Sequence, residues 1–405
     1  MLTYKYTAKD PVTGKKIKGE VEADSESAAA RVIKAQGHSL MEIHAAGGNE
    51  NILTRLTNRI TTKDKVIFSR QLSTLINAGL PLVQSLRTVM GQTKKKNFQF
   101  VISQVITDVE AGKALSVSLQ KHPRVFNQVY TSLVAAGETS GTLDNSLERL
   151  ANQQEKDAEL TSKVRGALIY PGIVLLVMGG VVTFMIVAVL PQVKELYAGL
   201  PGANLPFITV ALLAVSDLVI NFWWLALILT AIGIFFGTRW ARTLGGKRFV
   251  DSVKMKAWPI GRLFMKLYMA RFARTGTTLV ASGVPLLQTL QVTGRAIDNI
   301  HLEESIAKAS EKVKGGKSLS EAISGDQNFL DLVPQMIKIG EDSGSLEQML
   351  DRTATYFEKE VDNEVKAIST IIEPVLMIVL GVVSLIIVGA ILLPIYGLVG
   401  SGVIG

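Results

Sequence analysis

Few residues in this chain are spaced for chemistry. Gly315-Gly316-Lys317-Ser318 has the ending of a phosphate loop, in which glycine-rich backbone and a lysine cradle phosphate oxygens. Glu311 stands where that motif needs glycine, and the related Gly112-Lys113-Ala114 lacks the metal-binding hydroxyl. Ser318-Leu319-Ser320-Glu321 reads instead as a capping box at a helix start. His38, His44, His122 and His301 have neither metal-ligand nor triad spacing. Asp144 and Glu148 lie one helical turn apart and could hold calcium weakly, but a solvated acidic face is the favoured reading. There is no cysteine, which excludes disulfides, thiolate metal sites and thiol nucleophiles. The expectation is therefore a protein without catalysis, cofactor or metal.

One phrase remains, written twice. The first copy is Gly137-Glu138-Thr139-Ser140-Gly141-Thr142-Leu143, and the second is Gly340-Glu341-Asp342-Ser343-Gly344-Ser345-Leu346. It suits a tight corner. A glycine, Gly137 or Gly141, takes a positive φ angle. Thr142 and Ser345 are placed to cap the next helix, Ser345 with Gln348 as a box. Leu143, Leu147 and Leu150 then face a core, as do Leu346 and Leu350. A corner does not need a carboxylate, so Glu138 and Glu341 call for a partner. The candidates are backbone N–H groups at a helix start, or an arginine such as Arg70 or Arg274. A structural corner is favoured over a docking site for another protein.

The elements that position these residues are mostly helical. Residues 1–45 alternate as strands around one short helix, Tyr4 and Tyr6 then Ile17 to Val21, with turn signals at Asp10-Pro11 and Gly14 and a helix cap at Asp24-Ser25. Residues 46–61 read as a linker. From 62 to 168 the spacing predicts six helices, with breaks at Gly79, Gly112, Pro123 and Gly137 and Pro81 in the first turn of the second. Residues 171–191 hold no charge between their prolines and are long enough to cross a bilayer. A 192–217 loop follows, then a second span at 218–237, placed after Asp217 because a carboxylate is costly at mid-bilayer. Gly233 and Gly237 match the G-x-x-x-G pattern, though small residues in an apolar helix are the simpler reading. A second bundle occupies 240–370, a third span 374–394 and an uncharged tail 395–405.

Charge orients these spans. The chain carries 43 Lys and Arg against 35 Asp and Glu, a net charge of +8. Lys163 and Arg165 precede the first span, and Arg239, Arg242, Lys247 and Arg248 follow the second, whereas the loop between holds only Lys194 as a cation. Positive flanks mark the cytoplasmic side, so both bundles and the N-terminus are expected inside and the C-terminus outside. The first residues form no apolar core of a signal peptide, so none is expected. Without a basic-aromatic motif, nucleic acid is not an expected partner, and anionic lipid is.

The bundle itself recurs. Phe68-x-Arg70, Gly79-x-Pro81-Leu82 and Gly112-Lys113-x-Leu115-Ser116 reappear as Phe272-x-Arg274, Gly283-x-Pro285-Leu286 and Gly316-Lys317-x-Leu319-Ser320. The G-E-x-S-G-x-L phrase follows in both, and Leu190-Pro191 matches Leu393-Pro394. Such conserved order at a near-constant offset is an internal duplication. One departure is that Gln71 gives way to Thr275-Gly276, which suggests that the copies are not equivalent. The unrepeated second span returns the chain to the side on which the second bundle starts.

Together with Tyr4-x-Tyr6-x-Ala8 and Gly19, these paired motifs resemble the inner-membrane platform proteins of type II secretion and type IV pilus systems. The resemblance covers nearly the whole chain. It implies an all-α integral membrane protein with two homologous cytoplasmic six-helix bundles, three transmembrane helices and a small N-terminal α/β module. It also implies a homo-oligomeric platform that engages a cytoplasmic hexameric assembly ATPase, pilin or pseudopilin subunits and other inner-membrane scaffold proteins. A transporter or signalling scaffold with duplicated helical domains is the alternative. Transporters usually carry polar groups at mid-membrane, and these spans have almost none beyond Thr183 and Ser384.

Overall fold

A computed structural model describes residues 2–9, 16–23, 26–45, 58–192, 195, 207–258 and 260–400. The expected turn at Asp10-Pro11 and Gly14, the cap at Asp24-Ser25, most of the 46–61 linker and residues 401–405 lie outside the described residues. The chain divides into two compact units. One comprises Met1–Thr161 and Met265–Glu358, the other Ser162–Phe264 and Lys359–Gly405.

The first unit opens with strands β1 (Leu2–Lys9), β2 (Lys16–Ala23) and β3 (Ser39–Ala45), with α1 (Glu26–Ala35) between the last two. The sheet is antiparallel in the order β2-β1-β3. The first repeat then contributes α2 (Thr62–Asn77), α3 (Leu82–Gln92), α4 (Lys96–Glu110), α5 (Leu115–Gln120), α6 (Gln128–Ser140) and the start of α7 (Leu143–Phe184). The second contributes α10 (Ile260–Ala281), α11 (Leu286–Ala296), α12 (Ile300–Lys314), α13 (Leu319–Ile323), α14 (Leu332–Asp342) and the start of α15 (Leu346–Gly400). Six helices thus recur in each copy, as the spacing predicts. Pro81 and Pro285 sit just before α3 and α11 rather than in their first turns.

Aromatic rings fill the first repeat. Phe68 lies 5.2 Å from Phe98 and 5.7 Å from Phe126, centroid to centroid, and Phe126 lies 4.9 Å from Tyr130. Ser69 donates to the Tyr130 hydroxyl at 3.3 Å, which satisfies a polar tip that would otherwise be costly in an apolar interior. Leu279, Val284 and Val292 of the second repeat belong to the same core. The two six-helix bundles therefore share part of one core within a single compact unit. Buried polar contacts join them: Gln153 donates to the Thr275 hydroxyl at 3.3 Å and accepts from that of Thr278 at 3.0 Å. Thr275 stands where the first repeat has Gln71, so one difference between the copies lies where they meet.

One expected break moves, that at Gly137. Gly137 and Gly340 lie within α6 and α14, and the chain turns instead at Gly141 and Gly344, with φ of 72° and 66°. Pro171 and Pro374 do not begin new helices, because α7 and α15 continue through them. A proline inside a helix removes one backbone hydrogen bond, a loss that membrane helices tolerate when local geometry adjusts.

Among the described residues three helices are long and apolar enough to cross a membrane, within 143–192, 213–240 and 346–389. Their large side chains are exposed, Leu176 and Leu385 by 75% each, as lipid-facing residues are. The second, α8 (Phe207–Trp240), begins ahead of the expected start at Leu218 and carries Asp217 within it, with a kink at Phe222. In the first, Met185–Val189 widen into a π-helical turn, and buried Ser216 of α8 donates to the Ile186 carbonyl at 2.6 Å. That bond gives a partner to a carbonyl within the distorted turn. A further short helix, α9 (Leu244–Lys256), follows α8.

At a left-handed position an L side chain costs about 1–2 kcal/mol. Gly141→Ala and Gly344→Ala should each lower stability by about that amount in urea unfolding followed by circular dichroism. Gly91→Ala, in a helix with open space around it, should be neutral or stabilising by up to about 1 kcal/mol.

Candidate functional site

The duplicated phrase meets the other duplicated motif. Glu138 accepts through Oε1 from the Leu115 N–H, and through Oε2 from the Ser116 N–H at 3.1 Å and the Ser116 hydroxyl at 2.5 Å. Glu341 repeats this with the Leu319 N–H at 2.6 Å, the Ser320 N–H at 3.1 Å and the Ser320 hydroxyl at 2.5 Å. The first N–H groups of any helix lack an intrahelical partner and favour negative charge. Each glutamate therefore holds the start of a short helix, α5 or α13, from a helix that follows it in sequence. At α5 the preceding residue, Ala114, offers no side-chain cap. At α13 the Ser318 hydroxyl accepts from the Glu321 N–H at 3.2 Å, so the capping serine and Glu341 divide the free donors between them.

The rest of the phrase builds the corner that aims the glutamate. A Cβ at position 137 would lie 2.6 Å from Ser146 Cβ, and one at 340 would lie 2.9 Å from Leu346 Cα. These glycines let consecutive helices touch backbone to side chain. The Thr142 N–H then returns to the Gly137 carbonyl at 2.9 Å, and the Ser345 N–H to the Gly340 carbonyl at 2.9 Å, the bond that closes a left-handed helix end. Ser140 and Ser343 donate back to the Ala136 and Ile339 carbonyls at 2.8 and 2.6 Å. The Thr142 and Ser345 hydroxyls pair with those of Ser140 and Ser343 rather than forming the expected cap and box. Leu143 packs against the core.

The arginines serve elsewhere. Arg70 grips both oxygens of Glu155, at 2.6 and 2.5 Å, and donates to Asn152 at 2.6 Å. Arg274 donates to Glu358 at 2.7 Å and to Asp351 at 2.5 Å. Each ties the first helix of its repeat to the last, α2 to α7 and α10 to α15. The alternative pairing of Arg70 or Arg274 with Glu138 or Glu341 is thereby overturned. Gly79 and Gly283 end α2 and α10 with φ of 81° and 77°.

The copies secure the far end of the short helix differently. In the first, Lys121 at the end of α5 and Lys113 at its approach both bind Asp108, at 2.5 and 2.6 Å. Burial works against ionising Asp108, but the two ammonium groups outweigh it and hold the carboxyl below the usual aspartate range. In the second, Lys312 donates to the Ala322 carbonyl at 3.1 Å, opposing the negative end of α13.

An open cleft of about 1010 Å³ lies where the repeats meet, lined among others by Arg149, Gln153, Arg274, Thr278, Glu347 and Asp351. Its charges are of both signs, suited to polar contacts with another surface. Among the described residues, no group of three or more metal-ligating side chains gathers. Asn77 donates to Glu148 at 3.3 Å.

The family model for type II secretion system protein F matches residues 68–191 and again 272–394, and that of its N-terminal domain matches 1–44. The chain belongs to the type II secretion system protein F family. The two matches of this family model coincide with the duplication. Among relatives, the type IV pilus assembly protein PilC of Thermus thermophilus is 37% identical over 99% of both chains. The type II secretion system protein F of Xanthomonas campestris is 34% identical over 99% of this chain and all of its own. The PilC of Pseudomonas aeruginosa is 35% identical over 84% of this chain.

Removing one acceptor from a helix-start carboxylate leaves buried donors unsatisfied. Glu138→Gln and Glu341→Gln should each cost about 1–3 kcal/mol, and Ser116→Ala or Ser320→Ala about 1 kcal/mol. Urea unfolding checks this; unchanged midpoints for both glutamines would contradict the assignment.

Proposed function

We propose that this chain is an inner-membrane platform of a type IV pilus or type II secretion machine, without catalysis of its own. It couples a cytoplasmic assembly ATPase to the movement of pilin or pseudopilin subunits from the bilayer into a fibre. The observation that carries this reading is full-length kinship with relatives named for pilus assembly and for secretion. The architecture supports it: each latched corner opens directly into one unbroken helix whose later residues are apolar enough for a membrane, α7 and α15. Displacement at a corner would pass into the helix that carries the apolar segment. The N-terminus and both repeats face the cytoplasm, and the C-terminus lies outside, on the charge bias described above. The platform works as a homo-oligomer beside other inner-membrane scaffold proteins.

Glu138 and Glu341 are occupied by their latches. Any docking role for the phrase falls to its exposed members, Thr139, Ser140, Asp342 and Ser343, and to the mixed-charge cleft beside Gly344 and Glu347.

The test uses the absence of cysteine. Lys163 and Asp362 pair at 2.8 Å on the two long helices. A Lys163→Cys/Asp362→Cys chain, in a strain lacking its own copy, is joined by a short bis-maleimide. Fibre assembly or secretion should fall to background on linking while the ATPase still hydrolyses ATP. Undiminished assembly with the helices linked would contradict mechanical coupling through them.

A further inference from the structure

The short helix α9 is not explained by the repeat, and its exposed face is unusual for water. Trp240, Leu244, Phe249, Val253 and Trp258 are all exposed, Leu244 by 70% and Trp258 by 81%. Single exposed apolar side chains are ordinary, but five in nineteen consecutive residues form a patch. Cations are interleaved with them. Residues 239–262 contain seven Lys or Arg and one Asp, a net charge of +6. That one acid, Asp251, is buried and bound by Lys254 at 3.2 Å, so the outward charge is wholly positive.

The location of α9 is fixed by backbone geometry. Thr243 caps it by accepting from the Gly246 N–H at 3.2 Å, and donates back to the Trp240 carbonyl at 2.6 Å. A Cβ at position 246 would fall 1.9 Å from the Trp240 carbonyl oxygen, so only glycine lets α9 turn this closely against the end of α8. The Trp240 and Phe249 rings pack across that turn, tilted by 54° with centroids 5.6 Å apart. Helix α9 therefore starts where a membrane-crossing helix stops and is held against its end.

We propose that α9, with Trp240 and Trp258, is an interfacial anchor that seats in a bilayer surface and selects anionic phospholipid. Three observations choose lipid as the occupant: continuity with a span, complementarity of an all-positive face to phosphate headgroups, and tryptophans at both ends. Indole rings favour the headgroup layer, and amphipathic basic helices lie in it. Clustered cations next to a span draw anionic lipid. Such an anchor would lie directly before the second repeat, which begins in α10.

The full chain tests this. Four tryptophans are present, so Trp223→Phe, Trp224→Phe and Trp240→Phe leave Trp258 as the sole emitter. The protein is reconstituted in mixed phosphatidylcholine and phosphatidylglycerol vesicles, with brominated acyl chains on one lipid or the other at equal mole fraction. Quenching of Trp258 should be about twofold or more stronger with bromine on phosphatidylglycerol. That preference should vanish in Arg242→Gln/Lys256→Gln/Arg262→Gln and shrink at about 1 M salt. Equal quenching by both lipids would overturn the selectivity, and quenching by neither would overturn the anchor and leave water or another protein as the occupant. Should the triple Phe variant not fold, a nitroxide at Val253→Cys in the otherwise cysteine-free chain provides the same decision. It should collide more with dissolved oxygen than with a water-soluble nickel chelate, and the reverse order would overturn the proposal.

Discussion

The structure depends on a carboxylate placed against the free amides of a helix start. A six-residue helix such as α5 cannot support itself, because isolated helices this short do not persist in water. Its donors must be satisfied from outside. Glu138 does this for α5 and Glu341 for α13, each with three hydrogen bonds. The constraint acts in both directions. The short helix is held in place, and α6 or α14 is fixed at the turn from which the long helix departs. Glycines at 137 and 340 bring the helices together, and those at 141 and 344 turn the chain. The seven-residue phrase is thus one device with several parts.

Around each latch a second set of contacts ties the ends of the repeat. Arg70 and Arg274 fasten the first helix to the last. Partly exposed pairs of this kind contribute modestly to stability. Arg70 also holds both oxygens of Glu155, a forked contact that fixes the orientation of that pair. The two repeats also differ where they touch. Gln153 of one meets Thr275 and Thr278 of the other, a buried polar pairing that two identical copies could not make in the same way.

The sequence revealed the duplication, the six-helix count per copy and the apolar spans, because these rest on order, spacing and run length. The break at Gly137 was misplaced by four residues because glycine signals both close packing and a turn, and spacing does not separate these uses. Prolines 171 and 374 signal boundaries by sequence because their effect in water is stronger than in a helix with few competing partners. The partner of Glu138 was legible only in part. A helix start was among the candidates, but the start in question lies 22 residues earlier, at Ser116. The signal was present: Gly112-Lys113-x-Leu115-Ser116 and the glutamate phrase recur together, 22 residues apart in one copy and 21 in the other. Two motifs repeated at a nearly fixed distance are candidates for contact.

The most direct measurement is amide hydrogen exchange at Leu319 and Ser320 in the intact protein and in Glu341→Gln. If the carboxylate holds these amides, they exchange slowly in the intact chain and faster by about tenfold or more in the variant, in step with a loss near 1.4 kcal/mol. Amides in the middle of α12 should change far less. Equal exchange at Leu319 and Ser320 in the two proteins would contradict the latch.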